Sequence, residues 1–418
     1  MIKLRVLIVL FVASVSCFGA FAEEIPTAHP GSVGLSSDRL DRITKAMNDH
    51  VEAGNIAGGT GLIARHGKIA YFETYGFQDR ESEIPMSPDT IFRIYSMSKA
   101  ITGVAVMVLH EEGHFFLTDP VSKYLPEYAD MKVAVKTGED VELVDAEHAI
   151  TIRDLLRHTS GITYGSRGNT SPHYRQANLR DSQDLEAFSK KLGTVPLESE
   201  PGSAWEYGFS IDVLGRLVEV ISGMTFDVFL EKRIFKPLKM VDSAFHVPAD
   251  KHKRLATLYS PNAEGGGITV ATSRAQDSYK HKPAFFSGGG GLVSTTMDYA
   301  RFCQMLLNDG ALDGEQILGK KSVELMRANH LGDIPKKGRL IAQDGIGFGL
   351  TFAVTLDPGQ TGALDSAGVY RWGGAAGTRF WIDPAEDMVC VFMVNILPYR
   401  DLNYGDEFKL LAYQAIIE

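Results

Sequence analysis

The sequence predicts an α+β fold: an antiparallel sheet flanked by helices and built from both chain ends, with a mainly helical domain inserted between them. Three observations carry this reading. Strand patterns occupy both ends of the chain, short polar turns join neighbouring strands as hairpins, and helical patches with long irregular connections fill the middle. The expected division puts residues 23–100 and 286–418 in the sheet domain and residues 101–285 in the helical one. A cleft between two such units is the natural place for a site.

Each element follows from its local pattern. Leu40, Ile43, Met47 and Val51 recur at helical spacing behind Ser36 and Ser37, so a capped helix opens the sheet domain. Gly61 to Arg65 and Lys68 to Tyr75 flank His66 and Gly67, the pattern of a hairpin. Ala100 to Leu109 is apolar on almost every face, which makes a central helix. Helices are also expected at Thr151 to Arg157 and Ile211 to Ser222. Strands then return at Ile346 to Leu356, Val369 to Trp372, Thr378 to Ile382 and Met388 to Val394, with the turn Asp383 to Asp387 between the last two. Asp406 to Ile416 closes the chain as a helix. The stretches 166–178 and 261–282 show no usable periodicity.

Composition bounds the rest. With 44% hydrophobic and 22% charged residues over 418 positions, the chain has ample core to bury. A net charge of −10 offers no basic footprint, so nucleic acid is not an expected partner. Lys3 and Arg5 precede the apolar run Val6 to Val15, and Ala20-Phe21-Ala22 supplies small residues before Glu23. Residues 1–22 therefore read as a signal peptide cleaved after Ala22, for export to a periplasm or the medium. The run is too short to span a bilayer, and a lipid anchor on Cys17 is a poor match to the preceding residues. Cys303, in an expected helix, and Cys390, in an expected core strand, read as buried thiols. Nothing in the sequence speaks to oligomeric state.

The chemistry concentrates in Ser96-Met97-Ser98-Lys99. A serine and a lysine three residues apart lie on one helix face, a nucleophile with a base beside it. Burial at the edge of the apolar helix is expected to lower the lysine until its amine can take the serine proton. The first helical turn adds backbone N–H groups where an oxyanion would form. A second candidate is Tyr207, in the loop Trp205 to Ser210, whose phenol could act as base and then acid; the alternative is a packed aromatic loop. A third is Arg371 to Thr378, where Gly373, Gly374 and Gly377 permit close approach of a substrate and a backbone N–H could complete an oxyanion hole. Taken alone, it is equally a tight bend.

In this order the three segments resemble the serine β-lactamase and penicillin-binding protein superfamily, and more narrowly its family VIII carboxylesterases, which share the fold of class C β-lactamases. Thr151 to Gly161, Asp212 to Gly215 and Gly288 to Thr295 support the likeness, which covers nearly all of the chain after residue 22. The resemblance implies a β-lactamase/transpeptidase-like fold, Ser96 as nucleophile, Lys99 and Tyr207 as coupled base, and the N–H groups of Ser96 and Ala375 as oxyanion hole. It implies no cofactor and no metal. The expected activity is hydrolysis of short-chain carboxylic esters, a small-molecule substrate, through an acyl-enzyme. Two departures shape substrate choice. Trp372-Gly373-Gly374 stands where β-lactamases carry Lys-Thr-Gly, and Phe209 stands where their amide-binding asparagine is usual; both favour neutral esters over lactams or peptides. Strand alternation turns Arg371 away from the side Trp372 faces. A β-lactamase or D-amino-acid peptidase, an acyltransferase using the same site, and a catalytically silent binding protein are the alternatives.

Other motifs point elsewhere and are weaker. His110-Glu111-Glu112-Gly113-His114 matches a zinc-protease signature, but Gly113 reads as a helix end that would carry His114 off the face. Gly288 to Gly291 lacks the lysine of a phosphate loop and reads as a close backbone approach; Gly345 to Gly349 is a weak glycine pattern. His158 has no nucleophile elbow to serve and reads as satisfying nearby carbonyls, and Asn169-Thr170-Ser171 is a glycosylation sequon relevant only to a eukaryotic secretory route.

Overall fold

A computed structural model describes residues 25–262, 266–399 and 403–418. The expected signal peptide, residues 1–22, lies outside the described residues. One antiparallel sheet of eight strands organises the fold. In chain order these are β1 (Gly58–Arg65), β2 (Lys68–Asp79), β3 (Ile84–Pro85), β4 (Ile346–Phe348), β5 (Ala353–Thr355), β6 (Tyr370–Gly373), β7 (Arg379–Asp383) and β8 (Met388–Met393). Across the sheet they run β4-β5-β6-β7-β8-β1-β2-β3, so strands from the two chain ends meet where β8 pairs with β1.

That central pair shows why its sequence is apolar throughout. Alternate residues of β8 enter different layers: Val389, Val391 and Met393 join the core shared with the helical region, while Met388, Cys390 and Phe392 join a second core. A strand buried on both faces reads as a continuous hydrophobic run. The second core lies beneath α1 (Ser37–Glu52) and the C-terminal helix Tyr404–Gln414, which pack on each other. On the other face, the helix Thr296–Leu307 packs on β1, β7 and β8. Beyond it stands α2 (Ser98–Glu111), buried at every residue from Ser98 to Leu109, against α3 (Ser210–Ser222). Cys303 and Cys390 are both buried free thiols.

Several local expectations change. Ser36 occupies the cap position of α1 with extended backbone, yet its side chain makes no capping bond. Ile346 to Leu356 is a hairpin rather than one strand: Thr351 adopts φ 77°, and β4 folds back on β5. The middle of the chain contains a two-stranded hairpin, Lys132–Thr137 with Asp140–Asp145, turning at Gly138 with φ 68°. The stretches without periodicity carry a helix, Ser171–Ala177, and a hairpin, Tyr259–Pro261 with Ile268–Val270.

Candidate active site

Ser96 lies not within α2 but in the short 3-10 turn Tyr95–Met97 that leads into it. Tyr95 holds φ 43°, an uncommon conformation for a bulky residue. Surrounding bonds maintain it: the Ser98 hydroxyl donates to the Tyr95 carbonyl at 2.6 Å and accepts from the Leu292 N–H at 3.1 Å, while the Tyr299 hydroxyl donates to the Met97 carbonyl at 2.9 Å. The Ser96 turn is thus clamped from a distant segment. Across the cleft, Gly374 meets this turn so closely that a Cβ on it would lie 2.4 Å from the Ile94 carbonyl oxygen. That contact requires a glycine, and it brings the segment following β6 alongside Ser96.

Lys99 is 1% exposed. Its Nζ donates to Ser96 Oγ at 3.4 Å, to the Tyr164 hydroxyl at 3.0 Å and to the Gly289 carbonyl at 2.5 Å. The first distance is a long hydrogen bond, of the kind resting sites tighten on binding substrate. The electrostatics overturn one expectation. Burial alone pulls Lys99 down, but the Tyr164 and Tyr207 phenols and the Asp212 carboxylate outweigh it, and the net direction is up. The surroundings thus favour the charged form of Lys99. Asp212, in the first turn of α3, is itself pushed up by burial and drawn down by Lys99. Its Oδ1 accepts from Ser287 Oγ at 2.5 Å and from the Gly289 N–H at 3.2 Å. A Cβ on Gly289 would lie 2.4 Å from Asp212 Oδ2, so the glycine run serves the close backbone approach expected of it.

Tyr207 comes to the same place differently from the expected coupled base. Its ring lies 4.6 Å from Lys99 Nζ, but its hydroxyl accepts from Trp372 Nε1 at 3.2 Å. Among the described residues, the phenol hydrogen-bonded to Lys99 is that of Tyr164, which burial pushes well above the ordinary range for a phenol. Tyr164, Asp212 and Gly289 escaped the sequence reading as site residues. Asp212 and Gly289 did lie in stretches that carried the family resemblance; Tyr164 follows Ser160-Gly161 in a loop without a pattern. Behind Tyr207 lies His158, fully buried, its ring centroid 4.8 Å away. Neither of its nitrogens has a partner among the described residues, so it satisfies no carbonyl through its ring, contrary to expectation. Burial, with Lys99 adding to it, holds the imidazole neutral.

The remaining expected residues surround these. Ser96, Tyr207 and Ala375 border two cavities, of about 850 Å³ and about 820 Å³. Trp372, Gly373 and Gly374 line the first; Phe209 lines the second, packed edge-on to Tyr164 with centroids 4.7 Å apart. Arg371, expected to turn away from Trp372's side, borders the first cavity together with it and donates to Thr355 Oγ1 at 2.7 Å. His110 and His114 do not share a helix face: α2 ends at Glu111, and Gly113 follows with φ 80°.

A serine held against a buried lysine and two phenols, with glycine-bordered backbone opposite, is an arrangement that can support acyl transfer. The family model for Beta-lactamase matches residues 42–414. The chain belongs to the beta-lactamase family. Esterase EstB of Burkholderia gladioli is 29% identical over 88% of this chain and 93% of its own length. Protein Rv1367c of Mycobacterium tuberculosis is 33% identical over 86% of this chain and 90% of its own. Among solved structures, EstCE1, described as a hydrolase with promiscuous acyltransferase activity, superposes with a TM-score of 0.73 at 27% identity, covering 91% of this chain and 98% of that one. Within the beta-lactamase and penicillin-binding superfamily this places the chain beside the family VIII esterases, with a serine-hydrolase fold.

Proposed function

We propose that this beta-lactamase-family chain is an exported serine carboxylesterase that cleaves short-chain esters through an acyl-enzyme on Ser96. The observation that carries the reading is Lys99 Nζ, within hydrogen-bond reach of Ser96 Oγ and of a second phenol in a buried pocket. In the reactive form the Lys99 amine takes the Ser96 proton while Oγ bonds to the ester carbonyl carbon. The oxyanion that forms is held by the N–H groups of Ser96 and Ala375. Collapse breaks the bond to the alcohol oxygen, which takes the Tyr207 proton; the phenolate recovers one from the Lys99 ammonium. Water then repeats the sequence and frees the acid. Trp372 in place of a lysine leaves no cation at that position to hold a lactam carboxylate, and this favours esters over β-lactams.

The test is peptide mapping after brief exposure to p-nitrophenyl butyrate and an acid quench, with nitrocefin in parallel. A butyryl adduct on Ser96 with little nitrocefin opening is expected, and Ser96→Ala should lower turnover by ~10³-fold or more. Folded Ser96→Ala protein turning over near the wild-type rate would sink the assignment. Faster nitrocefin than ester turnover would exchange esterase for lactamase.

A further inference from the structure

The two cavities that meet at Ser96 differ in what else they touch. Tyr164, which accepts from Lys99, and Asp212, which accepts from the Gly289 N–H, border the second. Trp372, whose indole holds the Tyr207 hydroxyl, borders the first. The phenol that can protonate a departing alkoxide is thus held toward the first cavity, and the base that activates Ser96 sits on the side of the second. The second cavity is lined by Phe209, Phe245 and Phe285, with Arg180, Asp277 and Lys282 also bordering it.

The rim of the first cavity has a feature that folding does not explain. Leu340, Leu364 and Leu410 border it, and they are 61%, 58% and 52% exposed. They come from three separate segments: the chain before β4, the loop between β5 and β6, and the C-terminal helix. A local run of hydrophobicity cannot account for three exposed leucines bordering one cavity, and large apolar side chains left in water around a cavity commonly mark a binding site. The cations beneath are already engaged. Arg371 donates to Thr355, Arg379 pairs with Asp406, and Lys409 pairs with Asp365. The cavity therefore offers apolar contact rather than a free charge.

We propose that this leucine rim is the subsite for the alcohol half of the substrate, selecting esters of bulky, uncharged, apolar alcohols, while the acyl half occupies the aromatic cavity. This rests on the acyl-enzyme reading above. The bond from the carbonyl carbon to Ser96 Oγ forms as the bond to the alcohol oxygen breaks; that oxygen takes the Tyr207 proton, and the neutral alcohol leaves past the leucines.

The experiment holds the acyl group constant and varies the alcohol. Butyrate esters of methanol, cyclohexylmethanol and 2-(2-naphthyl)ethanol, all primary alcohols, are compared by kcat/KM in the wild type and in a Leu340→Ser/Leu364→Ser/Leu410→Ser variant. The wild type is expected to favour the bulky alcohols over methanol by on the order of tenfold or more, since each added apolar contact in a pocket discriminates on that scale. The variant is expected to lose that preference while methyl butyrate stays within about twofold of wild type, as contacts confined to the alcohol predict. Hydrolysis of the butyryl-enzyme, measured after the alcohol has left, should not change. Equal wild-type rates on all three esters would overturn the subsite, as would leucine substitutions that shift acyl-chain preference across methyl acetate to methyl octanoate. Absence of Ser96 acylation by every ester would overturn the acyl-enzyme reading itself, a distinct result.

Discussion

Tyr164 and Tyr207 both lie against Lys99, and the proposed reaction uses them at opposite ends. The perturbation is a pair of single substitutions, Tyr164→Phe and Tyr207→Phe, each removing one oxygen. The Tyr164 hydroxyl accepts from the Lys99 ammonium at 3.0 Å in a buried site. A hydrogen bond to a charged group is worth about 1.5–3 kcal/mol, or roughly 10–150-fold in rate if it must be intact during attack. The Tyr207 hydroxyl is held by the Trp372 indole, a neutral donor. Its neutral bond would cost only about 0.5–1.5 kcal/mol, but as proton donor to the leaving alkoxide its loss should cost ~10²–10⁴. The assay compares kcat/KM, which reports acylation, on p-nitrophenyl butyrate and methyl butyrate. Nitrophenoxide leaves without a proton and methoxide does not, so Tyr207→Phe should penalise the methyl ester far more heavily. Tyr164→Phe should penalise the two alike, because attack by Ser96 precedes departure in both. Equal losses on both esters for Tyr207→Phe, or a leaving-group dependence for Tyr164→Phe, would refute this division of labour.

Three further outcomes are expected. Because the surroundings raise Lys99, its free amine is the minor form at neutral pH and kcat/KM should climb into the alkaline range; Asp212→Asn removes an anion that favours the ammonium, so the rise should move to lower pH, and an unmoved profile would show that Asp212 is only a packing residue. Asp298 is pushed up by burial to about 6 from 3.8, so the folded state keeps a proton the unfolded chain has lost between those values, and stability must fall as pH rises through that window. At ~1.36 kcal/mol per unit the loss is roughly 3 kcal/mol, and urea unfolding from about pH 4 to pH 7 should show that difference between wild type and Asp298→Asn. Trp372→Lys should raise acylation by penicillin relative to ester hydrolysis, read as the ratio of the two acylation rates; an unchanged ratio would mean that other walls of the cavities decide.

Features set by neighbours in sequence were legible; features set by partners far along the chain were not. β8, α2 and the helix at residues 210–222 follow from period and burial, because a strand or helix face repeats every few residues. The Ser96–Lys99 pair is likewise local. The hairpin at 346–355 was not visible because Thr351 turns at positive φ, where a glycine would signal the turn and threonine does not. The hairpin at 132–145 did carry alternation and a glycine turn, but its second strand is exposed along its whole length, so no apolar face announced it.

The protonation state of Lys99 shows the same limit at the site. Sequence alone offers burial, and burial lowers a lysine. What reverses the direction is the arrival of Tyr164, 65 residues away, beside its Nζ, and of Asp212 from the first turn of α3. The glycine run at 288–291 announced a close approach without naming its partner. The partner is Asp212, which accepts the Gly289 N–H while the carbonyl of the same residue accepts Lys99. One backbone unit thus joins a carboxylate to an ammonium without direct contact between them. That arrangement holds Lys99 within reach of Ser96 and favours its charged form, and in the proposed reaction it makes deprotonation, rather than position, the condition for attack.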